Sequence, residues 1–279
     1  ADLDGDQIYE LILAGEWMPV SIYHWTQGHL EEVTSQYLED SYRGWWNTIQ
    51  VADVNEDGKP DILAGNWGTN SQIKMSVKEP AQLYYRDFDQ NGSVDPVLCT
   101  YIQHQSFPYV TRDELLRQLA FLRARFTTYA SFADVTIEQI FKPEELSAAG
   151  HLVADHAETT FFLSQPDGKL KAVSLPPEVQ FAPVHAITVL DYNQDGHQDV
   201  LLTGNNHHVK LRLGQMDANY GVLLQGNGSG DFTYVPQELS GFKIQGDVRS
   251  VIQLDDRILF GLNGGPVITY QKHSKQKAL

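Results

Sequence analysis

Apolar residues along this chain come mostly in short runs, β-branched or aromatic in character, cut off by Gly, Asn, Asp and Pro. "NTIQVA" at 47–52, "DILAG" at 61–65 and "PVLCTYI" at 96–102 are of this kind. Runs this short between turn residues predict β-strands. Longer stretches read as hairpins around a Gly or Asp turn: "MPVSIYHWTQGHLEEVT", "ETTFFLSQPDGKLKAVSL" and "YGVLLQGNGSGDFTYVP". The period changes once. Thr111 and Glu114 form a capping-box pair, and Leu115, Leu119, Leu122 and Phe126 then recur on one helical face. A second helix is expected over 131–141 and a third from Pro143.

Between pairs of predicted strands lies a repeated acidic loop, clearest in "DVNEDGKPD". Asp53, Asn55, Asp57 and Asp61 stand at its positions 1, 3, 5 and 9. The same places hold Asp2, Asp4, Asp6 and Glu10 in a first loop, Asp87, Asp89, Asn91 and Asp95 in a third, and Asp191, Asn193, Asp195 and Asp199 in a fourth. Alternate residues of a tight loop can aim oxygens at one point, and backbone carbonyls at position 7 (Lys59, Ser93, His197) can add to them. Ca²⁺ takes about 6–8 such oxygens at about 2.3–2.6 Å. An EF-hand would need a bidentate Glu at position 12 and a helix on each side; position 12 is Leu13, Ala64, Leu98 or Leu202, and the flanks read as strands. Three to four Ca²⁺ ions are therefore expected. The first loop is irregular, with Gly5 at position 4 and Gln7 at the position 6 that is glycine elsewhere.

Charge fits this picture. The formal net charge is −16 from 20 basic and 36 acidic residues, and thirteen of the sixteen side-chain positions named above are carboxylates. Four Ca²⁺ would bring the total to about −8. Nucleic acid, which calls for a basic stripe, is an unsuitable partner. The arginines of the helical stretch (Arg112, Arg117, Arg123, Arg125) read as a solvated helix face. Cys99 is the single cysteine, which excludes an intrachain disulfide and a thiolate zinc site; it is expected to be a buried strand residue. No run is long enough for a transmembrane segment. The tail 271–279 is basic and expected to be disordered.

Repeated strand–acidic loop–strand units followed by hairpins predict a mainly β chain. The architecture expected is a partial β-propeller of about four to five four-stranded blades over residues 1–270, with a helical insertion at 105–150 inside the third blade, between its second and third strands. The hairpin at 158–175 is assigned to that third blade. The last unit, "DVRSVIQLDDRILFGLNGGPVITY", has only Asp255–Asp256 for a turn and should bind no metal. The loops resemble the FG-GAP/VCBS repeats of integrin-α-like propellers. "GEWMP", "GWWN", "GNWGTN", "DFDQNGSVDP" and "TRDELLRQL" further resemble the large VCBS-repeat proteins of Bacteroidota, relatives of the ASPIC/UnbV and cartilage-acidic-protein group. The resemblance implies a propeller fold, calcium, and an extracytoplasmic location; it implies no activity. With four to five blades the chain would be part of a ring, completed by the rest of a longer chain.

Two functions are open at this stage. The first is a calcium-stabilised binding or scaffold module for a protein or carbohydrate partner. The second is a carbohydrate-active domain of the polysaccharide-lyase-like propeller type; no nucleophile elbow, HExxH or P-loop is present to support chemistry. In a four-stranded blade the acidic loops share one face, and the connections after each second strand lie on the other. Trp17, Asn66, Trp67, Asn70, Asn205, Asn206, His207 and Arg212 fall there. Indoles beside amides suit sugars, and Trp with Arg suits a protein interface.

Overall fold

The computed structural model describes residues 1–271; beyond Gln271 the basic tail lies outside the described residues. The chain is mainly β, in several antiparallel sheets. It divides into two compact units: residues 1–71 together with the chain from 158 onward, and residues 72–157.

Among the described residues the first unit holds four main sheets. The first sheet joins Leu11–Leu13, Ser21–Thr26 and His29–Glu32. The second runs Thr48–Ala52, Asp61–Gly65, Thr160–Ser164, Leu170–Val173. A third comprises Val184–Leu190, Asp199–Gly204, Val222–Gly226 and Phe232–Val235, and a fourth Val248–Leu254, Arg257–Leu262 and Ile268–Gln271. A short pair, Glu16–Pro19 with Arg43–Trp45, accompanies the first sheet. The sheets stack in this order through three apolar layers, and the period-2 alternation of each strand supplies both neighbours. Ile62, Ala64 and Phe162 of the second sheet pack with Ile22 of the first. Leu63 and Phe161, one residue away on the other face, pack with Val184, Val200 and Leu202 of the third. Leu201 and Leu223 turn the opposite way, toward Val248 and Phe260 of the fourth.

Asp61–Gly65 and Asp199–Gly204 are consequently buried at every position. A strand covered on both faces reads as an unbroken apolar run rather than an alternation. Gly65 ends one of these runs because the next sheet comes too close: a Cβ there would sit 2.7 Å from the Val184 carbonyl oxygen.

The second unit is a sheet covered by helices. Its strands lie in the order Gln105–Pro108, Asp95–Ile102, Ala81–Arg86, Gly150–Ala154. Val97 and the fully buried Cys99 pack with Leu115, Leu119, Leu122, Phe126, Ile137 and Ile140. The helix Arg112–Gln118 starts at the expected capping box, with Thr111 N donating to Glu114 Oε2 at 2.9 Å and Glu114 N to Thr111 Oγ1 at 3.3 Å. It gives way at Leu119 to a 3₁₀ turn, Ala120–Ala124.

Three expectations are corrected. The 158–175 hairpin does not join the third loop's sheet. Phe161 pairs with Leu63 and Phe162 with Ile62, so it completes the second loop's sheet. The helices do not follow the second strand of the third loop's sheet either. Gln105–Pro108 pairs with Asp95–Ile102 as a third strand, and the helices lie between it and Gly150–Ala154. The second helix is only Ile137–Ile140. Thr128 and Ser131 exchange side-chain and backbone hydrogen bonds over the earlier part, and such local bonds compete with helix.

Candidate metal-binding loops and the opposite strand ends

The four acidic loops share one backbone. Positions 4 and 6 are both left-handed in every loop: Gly5, Glu56, Gln90 and Gln194 have φ of 81°, 61°, 59° and 61°, and Gln7, Gly58, Gly92 and Gly196 have φ of 71°, 85°, 89° and 93°. The first loop is thus a permutation of the others, with its glycine on the other of two left-handed sites. Position 4 escaped the sequence reading because three loops fill it with Glu or Gln, residues that seldom adopt this conformation.

This conformation turns backbone N–H groups onto the loop's own oxygens. In the second loop Asp57 N donates to Asp53 Oδ1 at 3.1 Å, Gly58 N to Asp53 Oδ2 at 2.8 Å and Lys59 N to Asp57 Oδ1 at 2.8 Å. The third and fourth loops repeat the pattern with Asn91, Gly92 and Ser93, and with Asp195, Gly196 and His197. The carboxylates of Asp2, Asp4 and Glu10 can place oxygens within 4.8 Å of one another, as can those of Asp87, Asp89 and Asp95. Asn55 and Asn193 stand at position 3 of the other two loops, so no equivalent carboxylate trio exists there. Their amides donate to Asp57 and Asp195 at 3.0 and 2.7 Å. Side-chain oxygens at positions 1, 3, 5 and 9 with a carbonyl at position 7 form a hard-oxygen donor set of the type Ca²⁺ takes.

Position 9 differs from the rest. Glu10, Asp61, Asp95 and Asp199 are all buried, and each accepts the N–H of position 2 of its own loop (Leu3, Val54, Phe88, Tyr192) at 2.7–3.0 Å. The other oxygen of Asp61 accepts Ser164 N at 2.7 Å, and that of Asp199 accepts Gly226 N at 2.9 Å, so each clamps the loop to the third strand of its sheet. Burial pushes both carboxyls above the usual range, against the pull of those N–H donors. Asp195 is exposed, and the His197 N–H and Asn193 amide hold it below that range. Glu10 instead pairs its second oxygen with His24 Nδ1 at 2.8 Å, which raises that imidazole. The second and fourth loops are adjacent: Glu56 Oε1 lies 3.0 Å from His197 Nδ1.

In the first unit, the other ends of the same strands carry the residues marked for recognition. Two of them are committed to the fold. Asn66 is fully buried; its Oδ1 accepts from Trp45 N and Trp67 N at 3.1 and 2.8 Å. Asn205 is buried too, with its amide on the carbonyls of Asn219 and Gly246 and its oxygen on Asn219 N. Neither offers its amide to a ligand. Asn70 is exposed and reaches the Phe181 carbonyl at 3.1 Å. Asn206 is half-buried and bridged through its backbone to Met216. Arg212 is half-buried in a short 3₁₀ turn.

Trp17 and Trp67 are half-buried and meet on Trp45, which lies edge-on to both with centroids 5.1 and 5.4 Å away. His207 is held by Asp247, a buried carboxylate that accepts its backbone N–H at 3.0 and 3.1 Å and its Nδ1. Arg249 Nη2 lies 3.5 Å from the same carboxylate. Burial would raise Asp247, but the His207 hydrogen bonds and the His207 and Arg249 charges outweigh it and leave it below the usual range. Burial drives the nearby His185 imidazole down to about 4, and the Arg249 charge adds to the effect. Trp45, Asp247, Arg249 and His185 went unseen in the sequence, because each acquires its role from residues distant along the chain.

Residues 2–64 match the family model of the FG-GAP-like repeat. The match takes in the first two acidic loops and ends inside the strand that follows the second. No curated protein matches the chain.

Proposed function

We propose that this chain is a calcium-stabilised segment of a β-propeller of the VCBS type, working outside the cytoplasm as a binding or scaffold module. The observation that carries the reading is the common backbone of the four loops, which converges oxygens at matching positions in two structurally distinct units. The match of residues 2–64 to the FG-GAP-like repeat supports the propeller assignment for the first unit. Stacked sheets whose first strands neighbour one another support the reading of the sheets as propeller blades. An extracytoplasmic location agrees with loops that would need plentiful calcium.

The metal is structural in this reading. Its sites lie in strand-to-strand loops clamped by position 9, and recognition belongs to the opposite strand ends, where loops on a rigid scaffold carry Trp17, Trp67, Asn70, His207 and Arg212. A protein or glycan partner docks there. Metal that binds only the folded state stabilises it, so the melting temperature should fall in chelator and return with Ca²⁺ far better than with Mg²⁺, which prefers a smaller octahedral site. A melt indifferent to chelator refutes the calcium reading. Trp67→Ala should abolish binding to a partner found on a glycan array or by affinity capture while leaving the calcium-dependent melt in place.

One observation favours the lyase-like alternative. The buried Asp247 orients the His207 imidazole as a carboxylate does in acid–base catalysis. Absorbance of unsaturated uronate released from acidic polysaccharides, lost in His207→Gln, would establish it.

A further inference from the structure

The second unit contains a cleft that the loops and strand ends do not account for. It has a volume of about 810 Å³, within the range of small-molecule sites. Its floor is apolar: Phe88 and Phe141 stack with centroids 3.9 Å apart, beside the buried Leu122 and Ile140. Phe121 stands on the wall and is 53% exposed, although the same 3₁₀ turn sends Leu122 into the core. A large aromatic ring left in water in the lining of an apolar cleft is a surface suited to a ligand.

The polar groups on the cleft set the ligand's charge. Asp89, Glu138 and Glu145 line it together with Arg125 and Lys142. Arg125 is already engaged: Nη1 donates to the Ile140 carbonyl at 2.9 Å, Nη2 to that of Gln139, and the guanidinium lies over Phe126. It braces the cleft wall. Glu145 accepts the Lys142 backbone N–H at 2.8 Å, capping a helix. Glu138 and Asp89 remain as the negative groups of a lining that also holds the exposed Phe121 and Lys142. A dication in the loop of Asp87, Asp89 and Asp95 would still leave that loop's three carboxylates with one excess negative charge.

We propose that this cleft is a binding site for a small organic cation with an aromatic or bulky apolar body. The body lies on Phe88 and Phe141, and the cationic centre sits between the face of Phe121 and Glu138. Cation–π attraction together with a carboxylate favours such a ligand over its neutral and anionic counterparts. The site lies in residues 72–157 and shares Asp89 with the third loop, so it is tested with that loop saturated with calcium.

Benzyltrimethylammonium, benzyl alcohol and benzoate would be titrated into the full chain at saturating calcium, with binding followed by amide chemical-shift mapping. The cation should saturate with shifts centred on Phe88, Phe121, Ile140 and Phe141. Benzyl alcohol should bind about threefold or more weakly, and benzoate more weakly still. Phe121→Ala and Glu138→Gln, both at exposed positions, should each weaken the cation by about threefold or more. Absence of saturable binding, equal affinity for benzyl alcohol, or an affinity untouched by both substitutions would overturn the assignment.

Discussion

The side-chain amide of Asn66 donates to the carbonyl of Glu158 at 3.2 Å, and its backbone N–H reaches Thr159 Oγ1 at 3.0 Å. The chain thus leaves the second sheet at Asn66 and re-enters it within hydrogen-bonding distance. Everything between Gln72 and Ala157 forms its own core. Replacing 72–157 by a short Gly/Ser linker should leave the second sheet paired, because Thr160↔Ala64 and Phe161↔Leu63 do not depend on the removed residues. Cooperative unfolding and strand-rich circular dichroism of the shortened chain, with one fewer bound calcium, is the expected outcome. An unfolded product would mean that the two units cannot be separated.

The loops predict a division of labour between positions. Asp61 satisfies two buried backbone donors, Val54 N and Ser164 N. Leaving such donors unpaired costs about 1–3 kcal/mol each. Asp61→Ala should therefore destabilise the protein by about 2–5 kcal/mol even in chelator. Asp57 is exposed and serves its own loop, so Asp57→Ala should matter chiefly when calcium is present. Urea unfolding of both variants with and without calcium separates the roles. Equal, calcium-independent losses would show that position 5 is only a turn residue.

Backbone strain gives a third test. Gln7 holds φ 71° where the other three loops have glycine. Glycine takes this conformation freely, whereas other residues incur about 1 kcal/mol or more. Gln7→Gly should raise stability by up to about 1 kcal/mol and tighten calcium at the first loop, and Gly58→Ala should do the reverse at the second. Thermal melts and calcium titrations of the two variants would check the opposite signs. The same direction of change in both would contradict the left-handed geometry.

Much of this was legible in the residues. The apolar runs such as Asp61–Gly65 and the capping box at Thr111 are local patterns, and each appears where expected. What escaped notice depends on partners distant in sequence. The 158–175 hairpin carries no mark that it pairs with Ile62 and Leu63 across an inserted unit. Asn66 and Asn205 read as surface amides, because the carbonyls and N–H groups that bury them come from other segments. The glycine before each of them, Gly65 against Val184 and Gly204 against Pro183, is the local mark of crowding there.

His185 yields a prediction about pH. Its imidazole is held down to about 4 by burial first and the Arg249 charge second, with Asp247 opposing, against about 6.5 in an unfolded chain. A folded-state value below the unfolded one means that the neutral ring favours the fold. Its contribution is fully present above about pH 6.5 and is lost as the pH falls toward about 4, while the unfolded chain takes up the proton and the folded one resists it. A difference of this size corresponds to about 3 kcal/mol. Carboxylates also titrate toward the acid end, so the informative quantity is the difference between the wild type and His185→Gln. Replacing the ring leaves a neutral group at every pH. Denaturant unfolding free energies should show the wild type losing about 2–3 kcal/mol relative to the variant between pH 7 and pH 4.5, most of it below pH 6.5. Parallel pH profiles for the two proteins would show that His185 takes up its proton in the folded state as readily as in the unfolded one.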